Sequence, residues 1–172
     1  ILAYDKRKLE FTQLEAIEAI EESQAIAGIS CSKQDYLTDL IQAVCLMVQE
    51  GLSIVYAHRS FQEYFAARFI CEAKPDVQEQ LIAKYTPAVR RDSVFAMMYE
   101  MRPELVERYY LNPGLDRVLD KIGFKRTIGV THHQRFVRAV ARRFLLGDDG
   151  FSIRVEPPCQ SWMIDVTSFA MH

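Results

Sequence analysis

Four histidines and four cysteines are the residues of this chain best suited to covalent or metal chemistry. The histidines are His58, His132, His133 and His172, and the cysteines are Cys31, Cys45, Cys71 and Cys159. The cysteines are 14, 26 and 88 residues apart, so no C-x-x-C pair is present for zinc or thiol redox work. There is no H-E-x-x-H, and the adjacent His132 and His133 point to different faces of a helix start, so no metal site is expected. Cys45 and Cys71 sit inside apolar helical patterns and read as reduced, buried cysteines of a cytosolic protein. No G-x-S-x-G elbow marks a serine nucleophile. No G-x-x-x-x-G-K-[ST] or G-x-G-x-x-G loop is present to cradle phosphates. We therefore assign no catalytic residue and do not read the chain as an enzyme. One basic pattern remains: Arg135, Arg138 and Arg142 at i, i+3 and i+7, with Arg143 beside them. That stripe can face an acidic partner or run along phosphates, and the plainer alternative is the solvated face of an amphipathic helix.

The elements around these residues are legible from their start signals. Thr12-Gln13-Leu14-Glu15 is a capping box, and Leu14, Ile17, Ile20, Ala25 and Ile26 form an apolar stripe that ends at Gly28. Ser32 to Asp35 opens a second helix, whose buried face reads Tyr36, Leu37, Leu40, Ile41, Val44 and Cys45. The period then shortens over Leu46 to His58, and Glu50-Gly51 marks a β-hairpin. Ser60-Phe61-Gln62-Glu63 caps a third helix, with Phe61, Phe65 and Phe69 as its core ridge.

Beyond Lys74-Pro75 the pattern is helical, over about 76–86, 92–101, 103–111, 114–122 and 131–146. Thr131 to Gln134 reads as the cap of the last of these. Residues 151–156 alternate as a strand, and Trp162 to Phe169 reads as its partner. The expected architecture is mainly α with small β-hairpins: a first domain over 1–75, a helical domain over 76–147, and a two-stranded or truncated α/β piece over 148–172.

The chain has 172 residues, 49% apolar and 26% charged, with a mean hydropathy of -0.07. That composition fits a folded domain and holds no uncharged apolar run of membrane-spanning length. The start at Ile1 reads as part of a longer polypeptide. Charge is uneven: residues 1–83 hold 7 Lys/Arg and 13 Asp/Glu, whereas residues 84–143 hold 13 and 6. An acidic first module and a basic middle surface follow.

Tyr56-Ala57-His58-Arg59-Ser60-Phe61-Gln62-Glu63-Tyr64-Phe65-Ala66-Ala67 is the most informative stretch. It resembles the F-x-H-x-S-F-Q-E-Y/F-F-A-A signature that ends the winged-helix module of NACHT-type NTPases of the STAND class, bacterial relatives of NOD-like receptors. His58, Ser60, Phe61, Gln62, Glu63, Phe65, Ala66 and Ala67 all agree, and the resemblance covers about residues 1–75. It implies a winged helix in which His58 contacts the phosphates of bound ADP and helps hold a closed, inactive state. It also implies a parent ATPase using ATP or ADP with Mg²⁺, the Walker residues lying in an upstream NACHT domain, and oligomer formation on activation. The setting implied is cytoplasmic, in bacterial antiphage signalling, with no membrane contact. Residues 76–172 take the position of the helical and sensor regions that follow the winged helix. The competing reading is a winged-helix nucleic-acid module with a basic helical extension. It is opposed by the acidic first module and by a helix before the hairpin that offers mainly Lys33, Asp35 and Asp39.

Overall fold

The computed structural model describes residues 1–124, 127, 129–140, 144–146, 153–155, 166–167 and 169–170. They are mainly helical, with a three-stranded antiparallel sheet and a two-stranded one. The chain divides into two compact units, Ile1–Ala73 with Asp92–Met101, and Lys74–Arg91 with Arg102–His172. Residues 92–101, which the sequence groups with the second module, thus pack in the first.

Unit 1 begins with α1 (Leu2–Asp5), β1 (Glu10–Thr12) and α2 (Gln13–Ala27). The Thr12 capping box forms in both directions: Thr12 Oγ1 accepts from Glu15 N–H at 3.3 Å, and Glu15 Oε2 accepts from Thr12 N–H at 2.8 Å. Gly28 ends α2 in the left-handed conformation, at φ 66°. Helix α3 (Lys33–Thr38) is capped by Ser32 and runs into a π-turn at Asp39–Ala43. Strands β2 (Met47–Glu50) and β3 (Ser53–Tyr56) form the expected hairpin, turning at Gly51 with φ 64°. Strand β1 pairs with β3, Phe11 opposite Ile54, so the sheet order is β1-β3-β2. Helix α4 (Arg59–Glu72) follows, and α6 (Val94–Met101) packs on it.

The core of this unit is Phe11, Ala16, Ile20, Leu37, Met47 and Ile54, joined by half-buried Ile17, Leu40, Ile41 and Tyr56. Three expectations fail here. Leu14 and Ile26 are exposed, because α2 buries Ala16 and Ile20 instead. Val44 and Cys45 leave the buried face because the π-turn bonds Val44 N–H to Asp39 O, at i→i+5. That extra residue shifts the helical phase. Cys45 is exposed and takes φ 52°, whereas Cys71 is buried as expected. The α4 ridge also differs. The helix buries Gln62, Glu63, Ala66, Ala67, Ile70 and Cys71, while Phe65 is 41% exposed and Phe61 and Phe69 are half-buried. Ala66 and Ala67 lie on the buried face, where α6 offers Val94, Phe95 and Met98. Small side chains allow that close approach and push the aromatic positions to the shoulder.

Unit 2 holds α5 (Pro75–Tyr85), α7 (Pro103–Val106) continuing into a π-turn at Glu107–Leu111, α8 (Asn112–Ile122) and α9 (Val130–Val140). Helices α5, α7 and α8 each carry a proline in the first helical turn, as proline chemistry favours. Val118 and Ile122 of α8 pack with Phe124, Phe136 and Ala139. The helix expected over 131–146 does not extend over 144–146. Phe144–Leu146 is instead strand β4, paired antiparallel with β5 (Ile153–Val155), Leu145 opposite Arg154. The partner expected for β5, residues 162–169, is not a strand where it is described: Val166, Thr167 and Phe169 are helical. Val166 is buried against Gly114 of α8, and the Phe169 ring meets Tyr110 edge-on at 5.6 Å. Packing thus overrides a short run of β-favouring residues.

Candidate functional site

His58 stands where β3 ends and α4 begins, and it is exposed. It caps α4 itself. Its Nδ1 accepts from Ser60 N–H at 3.1 Å and lies 2.6 Å from Ser60 Oγ. Ser60 therefore sits inside the first turn and is not the cap that the sequence suggested. An Nδ1 that accepts carries no proton, so the neutral ring has its N–H on Nε2. Among the described residues no partner holds that nitrogen. The Arg59 guanidinium, 60% exposed, pairs with Glu63 at 2.9 Å.

Gln62 and Glu63 look inward. Gln62, 6% exposed, donates from Nε2 to Lys8 O at 2.7 Å, tying α4 to the segment before β1. Glu63, 7% exposed, accepts the Ser93 N–H at 3.2 Å, just ahead of α6. A carboxylate at a helix N-terminus satisfies a backbone donor that has no intrahelical partner. Asp92 takes the next N–H, from Val94 at 3.1 Å, and accepts the Tyr4 hydroxyl at 2.8 Å. The motif residues thus divide between an outward histidine, two inward polar anchors, and two partly exposed aromatics, Phe61 and Phe65. Arg59, Ser93 and Asp92 were not singled out in the sequence. The i, i+4 spacing of Arg59 and Glu63 was the only local signal for any of them.

The basic helix is less available than its pattern implied. Arg135 Nη1 donates to Ile122 O at 3.1 Å, at the C-terminal end of α8. His132 Nδ1 accepts from Gly129 N–H at 3.0 Å, and its Nε2 lies 3.2 Å from Gly123 O, which it serves as a donor. So Thr131 lies inside α9 and not at its cap, and His132 in the first turn reaches back to the N–H of Gly129 just before the helix. A guanidinium and an imidazole N–H meet carbonyls at a helix end, where the dipole favours positive charge. Arg138 is exposed. Arg142, Arg143, Cys159 and His172 lie outside the described residues.

A groove of about 300 Å³ runs between α3 and the hairpin, lined by Gln13, Gln34, Thr38, Gln42, Gln49 and Leu52 over Leu37, Ile41 and Ile54. Every polar group in it is an amide or a hydroxyl. Among the described residues no group of three or more His, Cys, Asp or Glu could hold a metal ion, and no helix is long and apolar enough to cross a membrane.

Residues 101–164 match the family SNaCT13, described as Short NACHT-associated C-Terminal domain, family 13. Over those residues the chain is similar to a NACHT-associated C-terminal domain, which supports a C-terminal part of a NACHT-class protein. The match runs from the end of α6 through β5, so it rests on α7, α8, α9 and the second sheet. None of those residues belongs to the stretch around His58, so the family match and the motif resemblance lie on separate parts of the chain. No curated protein and no solved structure matches it.

Proposed function

We propose that this chain is the regulatory, nucleotide-state-sensing part of a NACHT ATPase and does no catalysis itself. In this reading unit 1 is a winged helix that closes on a NACHT domain upstream in the same polypeptide, and His58 donates to a phosphate oxygen of ADP in the inactive state. The pose of His58 carries the reading: Nδ1 is spent on the backbone of α4, and Nε2–H remains as an outward donor. The sheet order β1-β3-β2, with α2 and α3 between β1 and β2, supports the winged-helix assignment.

The residues present suit one anionic oxygen rather than a whole nucleotide, since His58 and Arg59 are the exposed polar side chains at the start of α4. The rest of the ADP or ATP site, and its Mg²⁺ ligands, then belong upstream. When bound, the nucleotide supplies the phosphate anion that His58 recognises. The ring orients toward it and donates one hydrogen bond. Separating the domains breaks that bond, so the nucleotide biases the arrangement only as far as the contact differs between states. Cytoplasmic antiphage signalling through an oligomer is the setting this reading implies.

A nucleic-acid reader would need cations on α3 and the hairpin. The groove there offers glutamines and Leu52 instead, and unit 1 holds 6 Lys/Arg against 13 Asp/Glu. DNA binding is therefore expected to be weak, salt-sensitive and confined to the α9 arginines. The test of the regulatory reading is assembly of the full polypeptide without its trigger, followed by sedimentation. The expected result is that the His58→Ala variant assembles unprompted while the wild type does not. If both remain monomeric until triggered, the reading is wrong.

A further inference from the structure

We propose that Ser60 is the positioning residue for His58, holding the ring in the tautomer and pose that present Nε2–H to an anionic oxygen. The inference rests on the phosphate-contact reading above and extends it to a second residue. Its basis is the pair of contacts at one nitrogen. Ser60 reaches His58 Nδ1 twice, through its backbone N–H at 3.1 Å and through its hydroxyl at 2.6 Å. An exposed imidazole otherwise turns about its side-chain torsions, and neutral histidine exchanges between two tautomers. Two donors converging on Nδ1 remove both freedoms. They place the lone pair toward the start of α4 and the remaining N–H on the opposite side of the ring.

The backbone N–H alone is enough to satisfy helix capping, since that is the bond an N-cap side chain makes. The hydroxyl adds nothing to the cap, because a helix N-terminus needs its own N–H groups satisfied and not a serine oxygen. It contributes orientation instead, at the end of a side chain that no neighbour among the described residues buries. Aligning the donor before the anion arrives lowers the ordering cost of the contact.

The experiment compares wild type, Ser60→Ala, Ser60→Thr and His58→Ala. On the ¹⁵N-labelled chain, two-bond proton–nitrogen correlation of the neutral His58 ring reads the tautomer directly. In the full polypeptide loaded with ADP and Mg²⁺, stopped-flow reads nucleotide release. The wild type is expected to show unprotonated Nδ1 and protonated Nε2. Ser60→Ala should show averaged ring shifts, an unchanged melting temperature and ADP release about 3- to 10-fold faster, the size of one lost neutral hydrogen bond. Ser60→Thr, which keeps the hydroxyl, should restore both readouts. A wild-type ring protonated on Nδ1 overturns the proposal. So does a Ser60→Ala variant that releases ADP at the wild-type rate beside a fast His58→Ala. Unchanged release in His58→Ala overturns the phosphate reading itself, and that outcome is separate because the tautomer is read without nucleotide.

Discussion

Glu15 shows how much a single side chain at a helix start can be asked to do. Its carboxylate accepts a 2.6 Å contact from Lys8 and also bonds Thr12, and together these hold it at about 2, well below the ordinary carboxylate value of 4.5. The lowered value means that the ionised form is preferred in the folded chain. Its stabilising effect is complete above about pH 4.5 and disappears as the pH falls toward 2. The melting temperature of Glu15→Gln should therefore lie below that of the wild type at neutral pH and converge with it through that window. A gap that stays constant from neutral pH down to pH 2 would contradict this. Glu63 is the buried counterpart. Removing it in Glu63→Ala leaves the Ser93 N–H without its acceptor, at a cost of about 1–3 kcal/mol in urea unfolding. Glu63→Gln keeps an oxygen in place and should recover most of that loss. Both acidic residues were visible in the sequence, one as a capping box that formed as read. Glu63 was legible as part of a motif, but its partner lies 30 positions away at the start of α6. Sequence spacing carries no information on such a pairing.

At the scale of elements, start signals placed the helices to within a few residues even where the capping residue differed, as at His58 for α4, and faces did not hold. The prolines and the Thr12 and Ser32 caps located helices closely, because caps and prolines act within one turn. The faces failed where a local deviation changed the phase, as at the π-turn of Asp39–Ala43, or where the partner was unknown, as for α4. Helix α4 buries two alanines completely, and that choice predicts sensitivity to added bulk. Ala67→Leu should destabilise unit 1 by about 1–3 kcal/mol through overpacking, and Phe65→Ser at the exposed shoulder should cost much less. Equal losses in thermal unfolding would show that the shoulder is core after all. The α8–α9 connection offers a second check. Gly123 ends α8 at φ 70°, and a Cβ there would run into the Arg135 guanidinium. Gly123→Ala is expected to cost about 1–2 kcal/mol from backbone strain alone. Because it also displaces Arg135 from Ile122 O, its effect should not add to that of Arg135→Ala. Strand β1 escaped the sequence reading because three residues are too few for an alternation to show. Strand β4 escaped because Phe144 and Leu145 continue the apolar spacing of α9.

For the whole molecule, the NACHT association rests on the family match at residues 101–164, and the motif around His58 lies on a separate stretch. The matched stretch was not legible by eye: its helices and prolines were found, but nothing in their spacing named a family. The division of labour follows from chemistry as well. The chain has no glycine-rich phosphate loop, so the 172-residue protein alone should show no micromolar affinity for ATP by calorimetry. In the proposed reading, the chain's action on a nucleotide passes through the contact at His58. The decisive measurement is the rate at which ADP leaves the full polypeptide, wild type against His58→Ala, taken together with the melting temperature. A hydrogen bond to a charged group contributes roughly 1.5–3 kcal/mol, so the account predicts release faster by about 10- to 100-fold. It also predicts that the variant stays folded, since the packing of α4 lies in Ala66, Ala67 and Ile70. Unchanged release with a lowered melting temperature would contradict it, and would make His58 a helix cap and nothing more.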